Sequence, residues 1–217
     1  MNAQTPIPNP RPLVISDCDE VLLHMVSHFK NWLGETQEVS FELEGNNFAT
    51  AMRWTASGEQ VPEKDIWRLL GAFFDTEMGR QDAIPGAIEA MHAIAEKADV
   101  VILTNLVDKR RDDRAAQLRA LGLDIKVFTN QGPKGPAIAA ILKEYQPSMA
   151  IFIDDLAQHH ASAKETVPHV TRLHLCGEPS IAGHITCGHA TGHAHARIDS
   201  WDKALPWIMD RIEEDAI

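Results

Sequence analysis

A chain of 217 residues has room for one sizeable hydrophobic core and a small second module. A formal charge of -11 argues against nucleic acid or an anionic membrane surface as the main partner, and no apolar run approaches the ~20 residues of a membrane span. Three cysteines, odd in number and far apart, do not form the pattern of a disulfide framework and point to a reducing, cytoplasmic setting.

The first twelve residues, MNAQTPIPNPRP, lack a cationic start followed by an apolar run, so they read as a loose arm and not as a signal peptide. Residues 12–21, PLVISDCDEV, form an apolar strand that ends abruptly in Asp17, Asp19 and Glu20. Roughly residues 22–85 have a different character. They carry Trp32, Trp54 and Trp67, read as a helix at 65–78, and are too long for plain loop. A small, mostly helical cap over the strand ends is expected there, with Arg53 and Trp54 as candidate substrate contacts.

From 85 onward helices and strands alternate. The spacing predicts helices at 85–98, 108–122, 135–145, 157–167 and 202–215, with Pro206 near the first turn of the last. Between them run the short apolar strands 99–105, 125–130, 149–155 and 170–175. Unbroken apolar strands alternating with helices predict an α/β fold: a doubly wound, Rossmann-like parallel sheet with both faces covered. Residues 1–21 and 86–217 then build the core domain and 22–85 the cap. Ligands of such folds bind beyond the carboxyl ends of the strands.

The unusual polar residues fall at that edge. Asp17 and Asp19 close the first strand, Thr104 and Asn105 close VVILTN, Asp154 and Asp155 close MAIFIDD, and Lys134 lies in the turn QGPKGPA before a helix. In an extended backbone Asp17 and Asp19 lie on one side with Cα atoms about 6 to 7 Å apart, which leaves space for a tetrahedral group. One carboxylate can attack it while the other moves a proton at the leaving oxygen. So many acids are tolerable only with a hard divalent cation, and Mg²⁺ fits because it keeps waters and bridges to phosphate. Lys134, Thr104 and Asn105 can meet the phosphoryl oxygens.

This arrangement resembles the haloacid dehalogenase superfamily over most of the chain outside the insert. VISDCDEV is similar to its first motif, VVILTN to the second, Lys134 to the lysine of the third and IFIDD to the acidic fourth. The resemblance implies that Asp17 is the nucleophile that becomes an aspartyl phosphate. It makes Asp19 the general acid and base with its backbone carbonyl on the metal, and Thr104 and Lys134 the phosphate ligands. Asp154 or Asp155 completes the Mg²⁺ site, with Asp155 preferred. Where many relatives carry a second acid four residues further on, this chain has His159.

The expected activity is Mg²⁺-dependent hydrolysis of a small phosphorylated metabolite. Haloacid dehalogenation or phosphonate cleavage by the same nucleophile compete with it, as does a non-catalytic phosphate-binding module. Cys18, between the two acids, points away from them and reads as buried filler. Cys176, His184, Cys187, His189, His193 and His195 make a tail with metal-ligand residue types but no Cys-x₂-Cys spacing. A loop that brushes the substrate suits the tail better than a structural zinc site.

Overall fold

The computed structural model describes residues 10–43 and 48–215, so most of the N-terminal arm and the middle of 40–48 lie outside the described residues. The chain opens with β1 (Leu13–Ser16), then α1 (Val26–Thr36), β2 (Val39–Phe41), β3 (Met52–Trp54) and α2 (Glu63–Thr76). There follow α3 (Ala87–Lys97), β4 (Asp99–Thr104), α4 (Arg111–Ala120), β5 (Lys126–Thr129), α5 (Gly135–Tyr145) and β6 (Ala150–Asp154). The chain closes with α6 (Ala157–Thr166), β7 (Thr171–His174), the single turn α7 (Pro179–Ala182), β8 (Ala196–Arg197) and α8 (Trp201–Asp215).

Six strands form one parallel sheet in the order β5-β4-β1-β6-β7-β8. Side chains alternate across a strand, so β1 sends Val14 to one face and Leu13 and Ile15 to the other. Val14, Ile102 and Ile153 meet α3, α4 and α8 on the first face, while Leu13, Ile15 and Phe152 meet α5 and α6 on the second. The expected doubly wound α/β fold is therefore what the chain adopts. In α3 the buried residues Ala87, Ala90, Met91 and Ile94 recur at i, i+3, i+4 and i+7, and this stripe fixes the helix on the sheet. Each fully buried Met or Ile there contributes roughly 1.5–3 kcal/mol.

Strand order reverses around β1, which pairs with β4 on one side and β6 on the other. The carboxyl ends of these three strands thus lie side by side at the switch point. Close helix packing seats the neighbouring turn. Gly135 opens α5 against α6, where a Cβ would run into the Ser162 carbonyl, and its N–H donates to Ser162 Oγ at 3.0 Å. This contact places Lys134, the N-cap of α5, over the sheet edge.

Two chain crossings join the inserted segment to the sheet, side by side. His24 N–H donates to the Asp82 carbonyl at 2.9 Å, and Ile84 N–H to the Leu22 carbonyl at 2.8 Å. The insert was expected to be mostly helical, but it also holds the antiparallel hairpin β2–β3, paired Val39 to Trp54 and Phe41 to Met52. The hairpin gives α1 and α2 a third side to pack against. Phe29, Phe41 and Phe73 form its aromatic centre, with Phe29 and Phe73 edge-on at 5.1 Å between centroids. Helix α1 drew no expectation from the sequence. At the other end, α8 begins at Trp201, so Pro206 sits inside the helix and not in its first turn. No helix among the described residues is long and apolar enough to cross a membrane.

Candidate active site

Asp17 follows β1 directly, and its N–H donates to the Ile153 carbonyl of β6 at 2.8 Å. That bond aims its side chain at the turn before α5. There the fully buried Lys134 ammonium lies 2.8 Å from Asp17 Oδ1 and 2.7 Å from Asp154 Oδ2. Asp154 Oδ1 in turn accepts the Leu156 N–H at 2.8 Å. Asp155 is buried too, yet it forms no ion pair among the described residues. Carboxylate oxygens of Asp17, Asp154 and Asp155 all lie within 4.8 Å of one another.

Only two of the three buried carboxylates pair with the one ammonium, and their acidities diverge accordingly. Burial resists the ionisation of Asp154, but Lys134 outweighs it and holds that carboxyl below the ordinary range. Burial pushes Asp17 up to about 7 against the pull of Lys134, with Asp154 adding repulsion. Burial, together with the neighbouring Asp154, Asp17 and Glu20 carboxylates, likewise drives Asp155 well above the ordinary carboxylate value. A cluster so short of positive charge, built of hard oxygen donors, fits a divalent cation.

Asp19 goes elsewhere. The chain leaves the extended conformation after β1, and Glu20 adopts a left-handed backbone with φ 62. The Asp19 carboxylate meets Arg114 of α4 in a forked contact, Nη2 to Oδ1 at 2.8 Å and to Oδ2 at 3.0 Å. Gln81 Nε2 adds a bond at 3.2 Å, and Arg114 Nη1 donates to Gln117 at 2.9 Å. Its carboxylate therefore stands outside the three-acid cluster, although both Asp17 and Asp19 line the same cavity of about 490 Å³. Cys18 between them faces the core, where burial lifts its thiol to about 12.

Thr104 and Asn105 end β4 at the cavity wall. Thr104 Oγ1 is buried with no hydrogen-bond partner among the described residues. Asn105 is already engaged: its Nδ2 donates to the Gly132 carbonyl at 3.0 Å and its Oδ1 accepts from Asn130 at 2.8 Å. His159 also lines the cavity, 3.4 Å from the Asn105 amide, and burial lowers its pKa.

Other expected residues are placed differently. Arg53 turns to the Gly58 carbonyl and Trp54 packs on the insert's own cluster, and neither lines the cavity. The insert presents Met25, Leu70, Phe74 and the 60% exposed Trp67 instead. From the tail, Ile181, His184, Ile185 and Thr186 reach the cavity wall. The tail's cysteines and histidines do not converge, because the acidic trio is the metal-competent group found among the described residues.

One participant, Arg114, escaped the sequence reading, and Glu20 was noticed there without a role. Arg114 looked like one of many charges on an amphipathic helix; the excess of acids at the strand ends was the signal that a second buried cation was needed. Glu20 caps α1, with Oε1 accepting the Met25 and Val26 N–H groups at 3.0 and 2.6 Å, while Oε2 is buried without a partner. Burial pushes its carboxyl up to about 8.

Residues 76–165 match the family model of haloacid dehalogenase-like hydrolases, a stretch that contains Thr104, Lys134, Asp154 and Asp155 but not Asp17. No curated protein matches the chain. Among solved structures, a haloacid dehalogenase-like family protein, SP0104 from Streptococcus pneumoniae, superposes with a TM-score of 0.63 at 11% identity, covering 92% of this chain and 98% of that one. A hydrolase of the same family from Deinococcus radiodurans R1, with bound phosphate and sodium, gives 0.61 at 19% identity over 91% and 94%. A predicted phosphoglycolate phosphatase from Haemophilus somnus gives 0.61 at 13% identity over 90% and 97%.

Proposed function

Because residues 76–165 match the model of haloacid dehalogenase-like hydrolases and the fold is similar to theirs, we propose that this chain is a Mg²⁺-dependent phosphatase working through an aspartyl phosphate on Asp17. The observation that carries the reading is the trio Asp17, Asp154 and Asp155, two of them paired with one buried ammonium, beside a cavity that Asp17, Asp19 and Asp155 line. The Deinococcus neighbour's bound phosphate agrees with it.

In this reading an Asp17 carboxylate oxygen attacks the phosphorus. The ester P–O bond breaks, and the departing alkoxide takes a proton from Asp19, which must enter this step neutral with its fork to Arg114 opened. Arg114 stabilises the anion that Asp19 becomes. Asp19 then takes a proton from water, the hydroxide attacks the same phosphorus, and inorganic phosphate leaves with Asp17 restored. Lys134 and Thr104 hold the phosphoryl oxygens, the free Oγ1 of Thr104 gaining there the partner it lacks. Asn105, tied to Gly132 and Asn130, braces the loop that carries Lys134. Asp154 orients Lys134, and Asp155, without an ion pair among the described residues, would hold the metal together with Asp17 and the Asp19 carbonyl. These residues would hold Mg²⁺ where it would supply Lewis-acid neutralisation of phosphoryl charge. Residues 22–85 act as a cap that closes over the substrate and excludes water.

Displacement of halide from carbon needs no proton donor at the leaving group and no metal, so it would give the Asp19–Arg114 pair and the Asp154–Asp155 cluster no task. The test is phosphate release from p-nitrophenyl phosphate with Mg²⁺ and with excess chelator. Release with Mg²⁺ that chelator stops is expected; no release from any phosphate ester tried would overturn the reading.

A further inference from the structure

Of the two basic groups nearest the proposed reaction, Lys134 is given to the phosphoryl group and Arg114 to Asp19, and neither lines the rest of the cavity. Lys134 is fully buried between Asp17 and Asp154, and Arg114 is fully buried against Asp19. No lysine or arginine occurs among the described residues that line the cavity, and the sequence of the undescribed ones (1–9, 44–47 and 216–217) contains none. The floor instead presents Asp17, Asp19, Glu20 and Asp155, and the basic side chains among the lining residues are His159, whose pKa burial lowers, and His184. Opposite them stands a wall of Met25, Trp67, Leu70, Phe74, Ile181 and Ile185. Trp67 is the one large apolar side chain strongly exposed among the described residues, at 60%, and it stands at this cavity.

From this division we infer that the substrate is a phosphate monoester whose leaving group is apolar, alkyl or aromatic, and bears no second charge. The inference rests on the phosphatase reading and specifies its substrate class. A second anion on the leaving group would meet four carboxylates and no unpaired lysine or arginine, and a buried charge without a partner is strongly disfavoured. A cationic leaving group would lose its water against the apolar wall, and the floor carboxylates are already engaged: Asp17 by Lys134, Asp19 by Arg114 and Glu20 by the N–H groups that open α1. The guanidiniums of Arg110 and Arg114 already lie over the Phe74 ring, each 5.8 Å from its centroid. An apolar group, by contrast, covers the exposed Trp67 face and removes apolar surface from water on both sides. A cavity of about 490 Å³ holds such a group together with the phosphoryl end.

Four primary alkyl esters of similar intrinsic reactivity separate the classes: hexyl phosphate, 2-phenylethyl phosphate, phosphoglycolate and phosphocholine. With the full chain and Mg²⁺, kcat/KM for the first two is expected to exceed that for the last two by at least about 10-fold. In Trp67→Ala the advantage of 2-phenylethyl phosphate should shrink. In Leu70→Lys, which puts an ammonium on the wall, phosphoglycolate should gain on hexyl phosphate. Equal rates for all four, or a preference for phosphoglycolate or phosphocholine, would overturn the substrate class and leave the phosphatase reading standing. If no ester releases phosphate, the phosphatase reading fails and takes the substrate class with it.

Discussion

The two sides of the cavity are built on opposite principles. On the sheet side, β1, β4 and β6 bring charged groups into the interior, and most of them are held by a partner of opposite sign: Asp17 and Asp154 by Lys134, Asp19 by Arg114. On the insert side, α1 and α2 offer Met25, Leu70, Phe74 and Trp67, with no ion pair among them. A charge network fixes its members within tenths of an ångström, because moving one strands another in low dielectric. An apolar wall tolerates repacking. The contrast teaches that chemistry should be lost on the sheet side in large steps, and selectivity changed on the insert side in small ones.

The largest expected effect comes from Asp17→Asn. It preserves shape and leaves Lys134 its bond to Asp154, so circular dichroism and the unfolding midpoint should change little. Turnover of an aryl phosphate should fall by at least about 10³-fold, as for loss of a nucleophile. Wild-type-like turnover in this variant would remove Asp17 from that role and dissolve the contrast between the two sides.

Lys134→Met comes next, and its effect is on the fold. It strands the buried carboxylates Asp17 and Asp154 without their shared ammonium. Breaking a buried pair in this way costs about 3–5 kcal/mol, visible as a lowered urea midpoint. A loss within experimental error would mean that water or a cation already serves these acids.

The sheet side was legible in the sequence because its signals are local and categorical. Apolar runs such as AIFID stop at Asp154, and strands of that kind end at one edge of a parallel sheet, so Asp17, Thr104, Lys134 and Asp154 could be grouped before any coordinates. What was missed depends on long-range geometry. Arg114 reaches Asp19 across 95 residues, and nothing in the periodicity of α4 marks it as the helix's inward charge. Helix α1, VSHFKNWLGET, mixes β-branched, aromatic and Gly residues that weaken helix propensity, and it is held by the aromatic cluster and by the Glu20 cap. Strand β3 is three residues long, too short for an alternation to declare itself. Arg53 and Trp54 drew attention as residue types, yet hairpin register turns them from the cavity and gives the wall to α2.

A smaller effect on activity, and a cleaner one, belongs to Thr104→Val. Since Oγ1 has no partner in the free protein, replacing it by a methyl should leave stability nearly unchanged. If the hydroxyl meets a phosphoryl oxygen only in the reacting complex, kcat should fall about 10²-fold with the fold intact. A loss of stability with normal kcat would instead make Thr104 a packing residue.

The smallest effect tests the charge imbalance itself, without mutation. Burial raises Asp17 from 3.8 to about 7 and Glu20 from 4.5 to about 8, and it raises Asp155 in the same direction. A group whose folded value is raised binds its proton more tightly when folded. Its contribution to stability is therefore complete below the unfolded value and is lost as pH climbs through the folded one. Without metal, the midpoint of thermal unfolding should fall between about pH 5 and pH 8, by about 2–4 °C for each kcal/mol at this chain length. A divalent cation at the trio favours the ionised carboxylates, so added Mg²⁺ should raise the midpoint more at pH 8 than at pH 5. Differential scanning calorimetry across that range reads both slopes. If Mg²⁺ stabilised equally at the two pH values, its binding would be uncoupled from these protons, and the sheet side would not be the cation-deficient half of the cavity.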